Sequence, residues 1–129
     1  MKLPIHLDTE SSQAYYDQIK TQIQKFILNQ YLPAGTALPS IRTLAKDLSC
    51  SVITVKRAYQ DLEADGLIIT KQGRGTFVAS HNPAHVEQYK ETKLAGMIDQ
   101  LLTEAQKLGY TKNEILTHVQ KQIISQKDE

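Results

Sequence analysis

Residues 33–78 read PAGTALPSIRTLAKDLSCSVITVKRAYQDLEADGLIITKQGRGTFV. Two short apolar stripes lie in this stretch: Ile41, Leu44, Ala45 and Leu48, then Val55, Ala58, Tyr59 and Leu62. Steps of three and four put each stripe on one face of a helix. Ser40 and Ser51 stand just ahead of them, where a hydroxyl accepts from the N–H groups that a helix start leaves open. Only Ser49-Cys50-Ser51 separates the two helices. Pro39 biases Leu38 toward extended backbone, and Gly66 suits a left-handed helix stop. The composition then changes. Leu67-Ile68-Ile69-Thr70 and Thr76-Phe77-Val78 are rich in β-branched residues and flank Lys71-Gln72-Gly73-Arg74-Gly75, which reads as a β-hairpin. The glycines accept positive φ, which other residues adopt at a cost.

Upstream, residues 1–10 read as irregular. Tyr16, Ile19, Ile23, Phe26 and Ile27 predict an amphipathic helix from about Gln13 to Gln30, capped by Ser11 or Ser12 and stopped before Pro33-Ala34-Gly35. Downstream, Asn82-Pro83 marks a break. Leu94, Ile98, Leu101, Ala105 and Leu108 then recur in steps of four and three, a heptad-like seam. Gly109 ends that helix. Thr111 and Glu114 form a capping box for a last helix carrying Ile115, Leu116, Val119 and Ile123. The expected fold is mostly α with a small β-hairpin, an α+β class, with domains over 1–80 and 81–129. The tail stripe either packs within one chain or meets a second copy. A two-helix hairpin this small cannot bury both its faces alone, so Leu94, Ile98, Leu101, Ala105, Leu108, Leu116, Val119 and Ile123 are expected in a homodimer seam.

Composition narrows the function. The single cysteine, Cys50, cannot form an internal disulfide, and no apolar run suits a signal peptide or a membrane span. The expectation is a cytoplasmic protein without a membrane partner. No catalytic set, phosphate loop or zinc motif stands out, so neither an enzyme nor a cofactor is expected. His81 and His85 are four apart, but Pro83 lies between them and no third ligand is near, so no metal is expected. Cys50 reads as a small apolar filler, with redox sensing as the alternative. Net charge is +1. Residues 1–80 carry nine Lys/Arg against seven Asp/Glu, and 81–129 carry six against seven. Any positive field must be local and doubled by dimerisation.

Helix, tight turn, helix and hairpin make a winged helix-turn-helix. Its second helix is thin enough for the major groove of double-stranded DNA, where its first turns meet base edges. The stripe of Val55, Ala58, Tyr59 and Leu62 leaves Ile53, Thr54, Lys56, Arg57 and Gln60 outward. Lys56 and Arg57 reach phosphate or guanine, and Thr54 reaches a base edge or a phosphate. Ser40 sits where a helix N-terminus favours an anion, and Arg42 is in the same turn. Gly73 allows close approach at the hairpin tip, with Lys71 and Arg74 adding charge. Taken singly, these charges read equally well as solvated surface. The competing function is a protein-interaction module without specific DNA readout, motivated by the near-neutral charge.

These landmarks resemble the DNA-binding domain of the GntR superfamily: Pro33, Gly35, Leu38-Pro39-Ser40 with Arg42, Leu44-Ala45, Thr54-Val55, Ala58-Tyr59, Leu62, Gly66-Leu67 and Gly73-x-Gly75-Thr76-Phe77-Val78. Tyr16-Asp17-Gln18-Ile19 resembles the family's first helix. The resemblance implies DNA contact at Arg42, base or phosphate reading at Ser51, Val52, Thr54 and Lys56, and minor-groove entry at Gly73. Many relatives have arginine where this chain has Val52, and valine where it has Cys50. The short helical tail resembles the YtrA-like subfamily, which implies dimerisation and repression at a near-palindromic operator. A small-molecule effector of unknown identity stays open, with Met97, Leu101 and Tyr110 as candidate pocket residues.

Overall fold

The computed structural model describes residues 2–80 and 83–126, the side chains of 83–85 excepted. The chain divides into two units, Met1–His81 and Asn82–Glu129.

The first unit contains α1 (Tyr15–Leu28), α2 (Ile41–Leu48), α3 (Val52–Ala64), β1 (Ile68–Lys71) and β2 (Gly75–Val78). Both α1 and α2 pack on α3. Ile19 and Ile23 of α1, Leu44 of α2, Val55 and Leu62 of α3, and Leu67 are fully buried between them. Burying an aliphatic side chain of this size contributes roughly 1.5–3 kcal/mol, so the period of the stripes decides which faces meet.

The first helix differs from its sequence reading. It runs from Tyr15 to Leu28, and its N-cap is Ala14, with no side-chain cap. Neither Ser11 nor Ser12 serves as the cap; the Ser11 hydroxyl instead accepts from the Gln13 N–H at 3.1 Å. Two glutamines one turn apart hold the preceding segment. The Gln18 amide donates to the carbonyls of Gln13 (2.8 Å) and Asp8 (3.1 Å) and accepts from the Asp8 N–H (2.8 Å). Gln22 accepts from the His6 N–H (3.0 Å) and donates to the His6 carbonyl (2.7 Å). Pinned in this way, residues 2–8 place Leu3 and Ile5 in the core. The helix stops two residues early because Gln30 turns left-handed, at φ 67°, and the Leu32 N–H returns to the Phe26 carbonyl at 2.9 Å.

The hairpin is antiparallel, with Ile68 opposite Val78 and Lys71 opposite Gly75. Gly73, at φ 77°, lies in its turn. A further stretch of backbone, read from sequence only as a turn and its exit, pairs with β2. Gly35 N–H donates to Val78 O (2.8 Å), Val78 N–H to Thr36 O (2.9 Å), and Leu38 N–H to Thr76 O (2.8 Å).

The second unit is two helices, α4 (Pro83–Lys107) and α5 (Lys112–Ser125). Gly109 between them takes φ 95°. The capping box is formed: Thr111 N–H donates to Glu114 Oε1 at 2.9 Å, and Glu114 N–H donates to Thr111 Oγ1 at 3.2 Å. Hydrogen bonds to the carboxylate from Thr111, the backbone N–H first and the side chain second, hold the Glu114 carboxyl below its ordinary pKa. Ile115 is the one buried hydrophobic side chain in this unit among the described residues. Leu94, Ile98, Leu101, Leu108, Leu116 and Ile123 are exposed, and Ala105 and Val119 half-buried.

Candidate nucleic-acid interface

The two helix starts that carry the site are built alike. Ser40 Oγ accepts from Thr43 N–H at 3.1 Å and donates to Thr43 Oγ1 at 2.9 Å. Ser51 Oγ accepts from Thr54 N–H at 3.1 Å and lies 2.7 Å from Thr54 Oγ1. Each cap contributes about 1 kcal/mol and fixes where its helix begins. Between them, Ser49 takes a left-handed conformation at φ 54°, and Cys50 N–H closes back on the Ala45 carbonyl at 3.0 Å. This reversal sets the angle between α2 and α3.

A second tie runs between the helices. The Tyr59 hydroxyl donates to the Pro39 carbonyl at 2.7 Å. Burial holds the Tyr59 phenol far above its ordinary pKa, so it stays a donor across the biological pH range. The residue before Ser40 is thereby fastened to α3, and Arg42, exposed in the first turn of α2, is carried with it.

On α3 the face opposite the core exposes Val52, Ile53, Lys56, Arg57 and Gln60, while Thr54 is half-buried. The two cations differ. The Arg57 guanidinium lies 3.7 Å over the Tyr16 ring of α1, a cation–π contact worth roughly 0.5–1 kcal/mol at an exposed site. Arg57 thus has a structural partner that the spacing of its stripe does not disclose. Lys20 of α1 makes a further tie to α3, its ammonium lying 4.0 Å from Asp61 and 3.7 Å from Asp65 at the end of that helix.

At the hairpin, Lys71 Nζ lies 5.1 Å from the centre of the Phe77 ring. Gly73 and Arg74 are exposed in the turn, and Arg74 N–H donates to Lys71 O at 2.9 Å. Thr70 Oγ1 donates to Glu63 Oε1 at 3.2 Å, which joins the hairpin to the last turn of α3. Arg42, the first turn of α3 and the hairpin tip therefore all belong to one internally bonded unit. The sequence reading named most of these positions and put Tyr16 and Tyr59 in helix stripes, but it did not foresee the contacts by which Tyr59, Tyr16 and the paired glutamines hold the unit together.

Cys50 is half-buried rather than buried. Burial raises its thiol pKa, which keeps it protonated and a poor nucleophile. Among the described residues no three His, Cys, Asp or Glu side chains are grouped to hold a metal. His81 and the side chain of His85 lie outside the described residues. In the second unit, Leu101, Ala105, Leu108, Ile115, Val119 and Ile123 line an open cleft of about 510 Å³, with Tyr110 at its wall. Met97 is exposed and does not line this cleft.

Residues 15–78 match the family model described as bacterial regulatory proteins, gntR family. The chain is 33% identical over 105 residues to the HTH-type transcriptional repressor YtrA of Bacillus subtilis (strain 168), covering 81% of each chain. It is similar in structure to a GntR family transcriptional regulator from Listeria monocytogenes, with TM-score 0.67 and 30% identity over 89% of this chain and 98% of that one. It is also similar to AraR(DBD) in complex with operator ORX1, with TM-score 0.54 and 28% identity over 61% of this chain and 99% of that one. The stacked helix starts, the hairpin and the matched span agree, and the chain belongs to the GntR family of bacterial regulatory proteins.

Proposed function

We propose that this chain is a homodimeric transcription repressor, with residues 1–80 as its DNA-binding domain and 81–129 as its dimerisation tail. The observation that carries the DNA reading is the first turn of α3. It opens on a capped helix end, turns its buried face to the core and leaves Val52, Ile53 and Lys56 in solvent. Arg42 and Lys56 bind phosphate or guanine, Ser40, Ser51, Val52 and Thr54 lie along the groove, and Lys71, Gly73 and Arg74 follow the neighbouring groove. Arg57 acts first through Tyr16 and only second through DNA. A similar protein was solved on its operator, and another is named a repressor.

The dimer reading rests on the tail, whose apolar stripe is left open in one chain. Two copies present two recognition helices to half-sites about one helical turn apart, so the operator is near-palindromic. The cleft beside Tyr110 is where an effector would act. Work on chromosomal DNA means work in the bacterial cytoplasm, by binding and not by catalysis.

The test is selection of bound duplexes from a random library at moderate salt. A two-fold-symmetric sequence should be enriched, with affinity falling steeply as salt rises. Arg42→Ala should then cost about 1–3 kcal/mol of binding. Affinity for every duplex no better than for random DNA would overturn this reading in favour of a protein-docking module, the alternative that the near-neutral charge suggests.

A further inference from the structure

We propose that Val52 and Ile53 read thymine 5-methyl groups in the major groove, so that each half-site is specified at this point by A·T pairs rather than by guanine. This rests on the DNA-binding reading above and names what that site recognises.

Val52 is 46% and Ile53 78% exposed. A lone exposed aliphatic residue needs no explanation. Two successive branched ones, in the turn of α3 that meets base edges, do. Neither side chain donates or accepts a hydrogen bond. Among the groups that base pairs present in the major groove, the thymine methyl is the apolar one. Facing a guanine, the same side chains would strip water from N7 and O6 and return nothing, which is costly. The pair therefore selects for thymine and against guanine at once.

The neighbours fit this division of labour. The Ser51 and Thr54 hydroxyls lie 2.7 Å apart and also serve the cap, which commits part of their hydrogen-bonding capacity to the helix start. Lys56, one turn beyond Val52, is exposed and suited to the backbone. β-branched side chains in a helix hold essentially one χ1 rotamer, so little freedom is lost on contact. Two side chains are far too few for a stable protein interface, which needs 20–30 residues a side.

The test uses the selected duplex. Each thymine of a half-site is replaced in turn by uracil, which removes the methyl and leaves the pairing edge intact, and binding is followed by fluorescence anisotropy. One or two adjacent positions should weaken binding by about fourfold per methyl. Ile53→Ala and Val52→Ala should erase that sensitivity and leave the salt slope unchanged, while Lys56→Ala should lower the slope by about 1. Both residues are exposed, and melting curves of the variants check that they fold. If wild-type protein binds every uracil duplex as well as the parent, the inference falls while the DNA reading stands. If Ile53→Ala changes the oligomeric state and not DNA affinity, the patch is a protein contact and the inference falls again. If no duplex is selected, the DNA reading itself fails first.

Discussion

Of the seventeen buried hydrophobic side chains among the described residues, sixteen lie in residues 2–80 and one, Ile115, lies in 83–126. The apolar stripes are equally regular in both units, and only their partners differ. In the first unit α3 finds α1 on one side and α2 on the other. In the second, α4 packs on α5, and among the described residues this helix pair leaves most of its stripe in water. The same periodicity thus specifies a core where three elements converge and an open surface where two do. Stability is expected to reside in the first unit, and assembly in the second.

The sharpest way to break this contrast is Leu62→Ala. The side chain is fully buried in α3, and its loss should cost about 2–5 kcal/mol, read by thermal unfolding. A cost under 1 kcal/mol would mean that the first unit is not the stable one. Next is the double substitution Ile98→Asp with Leu101→Asp. It should leave the melting of the first unit in place, convert the protein to monomer in sedimentation, and lower operator affinity on the order of 10²-fold through lost avidity. A dimer that survives both charges places the seam elsewhere. Ser51→Ala removes a cap from α3 and should cost about 1 kcal/mol by denaturant unfolding, with Ser51→Gly milder. The smallest effect concerns pH. The Glu114 carboxyl is held below its ordinary pKa in the folded tail. Its contribution is therefore present above the unfolded carboxylate range and is lost as pH falls through the folded value. Acidification should reduce the helix signal of the tail, and Glu114→Gln, which keeps a capping acceptor, should remove that acid-dependent step.

The sequence was legible where period and cap coincide. Ser40, Ser51 and Thr111 each precede a stripe, and each is an N-cap in the structure. Gly66 follows the stripe of α3 and takes φ 77°. Legibility failed where a backbone segment is held by side chains distant in sequence. Leu3 and Ile5 are too few to form a pattern, and the glutamines that seat them are 10 and 16 residues from their partners. Arg57 shows why a site is harder to read than a fold. Its outward position follows from the stripe, but its partner Tyr16 lies on another helix, and no local spacing reveals it.

The backbone pairing of residues 35–38 with β2 has a mechanical meaning. The chain leaves that pairing at Leu38 and two residues later caps α2 at Ser40, so the hairpin tip and the Arg42 turn are two ends of one lever. A displacement of the hairpin would pull on the start of α2 through three N–H···O bonds. Energies measured for Arg74→Ala and Arg42→Ala should not add, and their interaction energy in a double-mutant cycle should exceed the few tenths of a kcal/mol expected of independent sites.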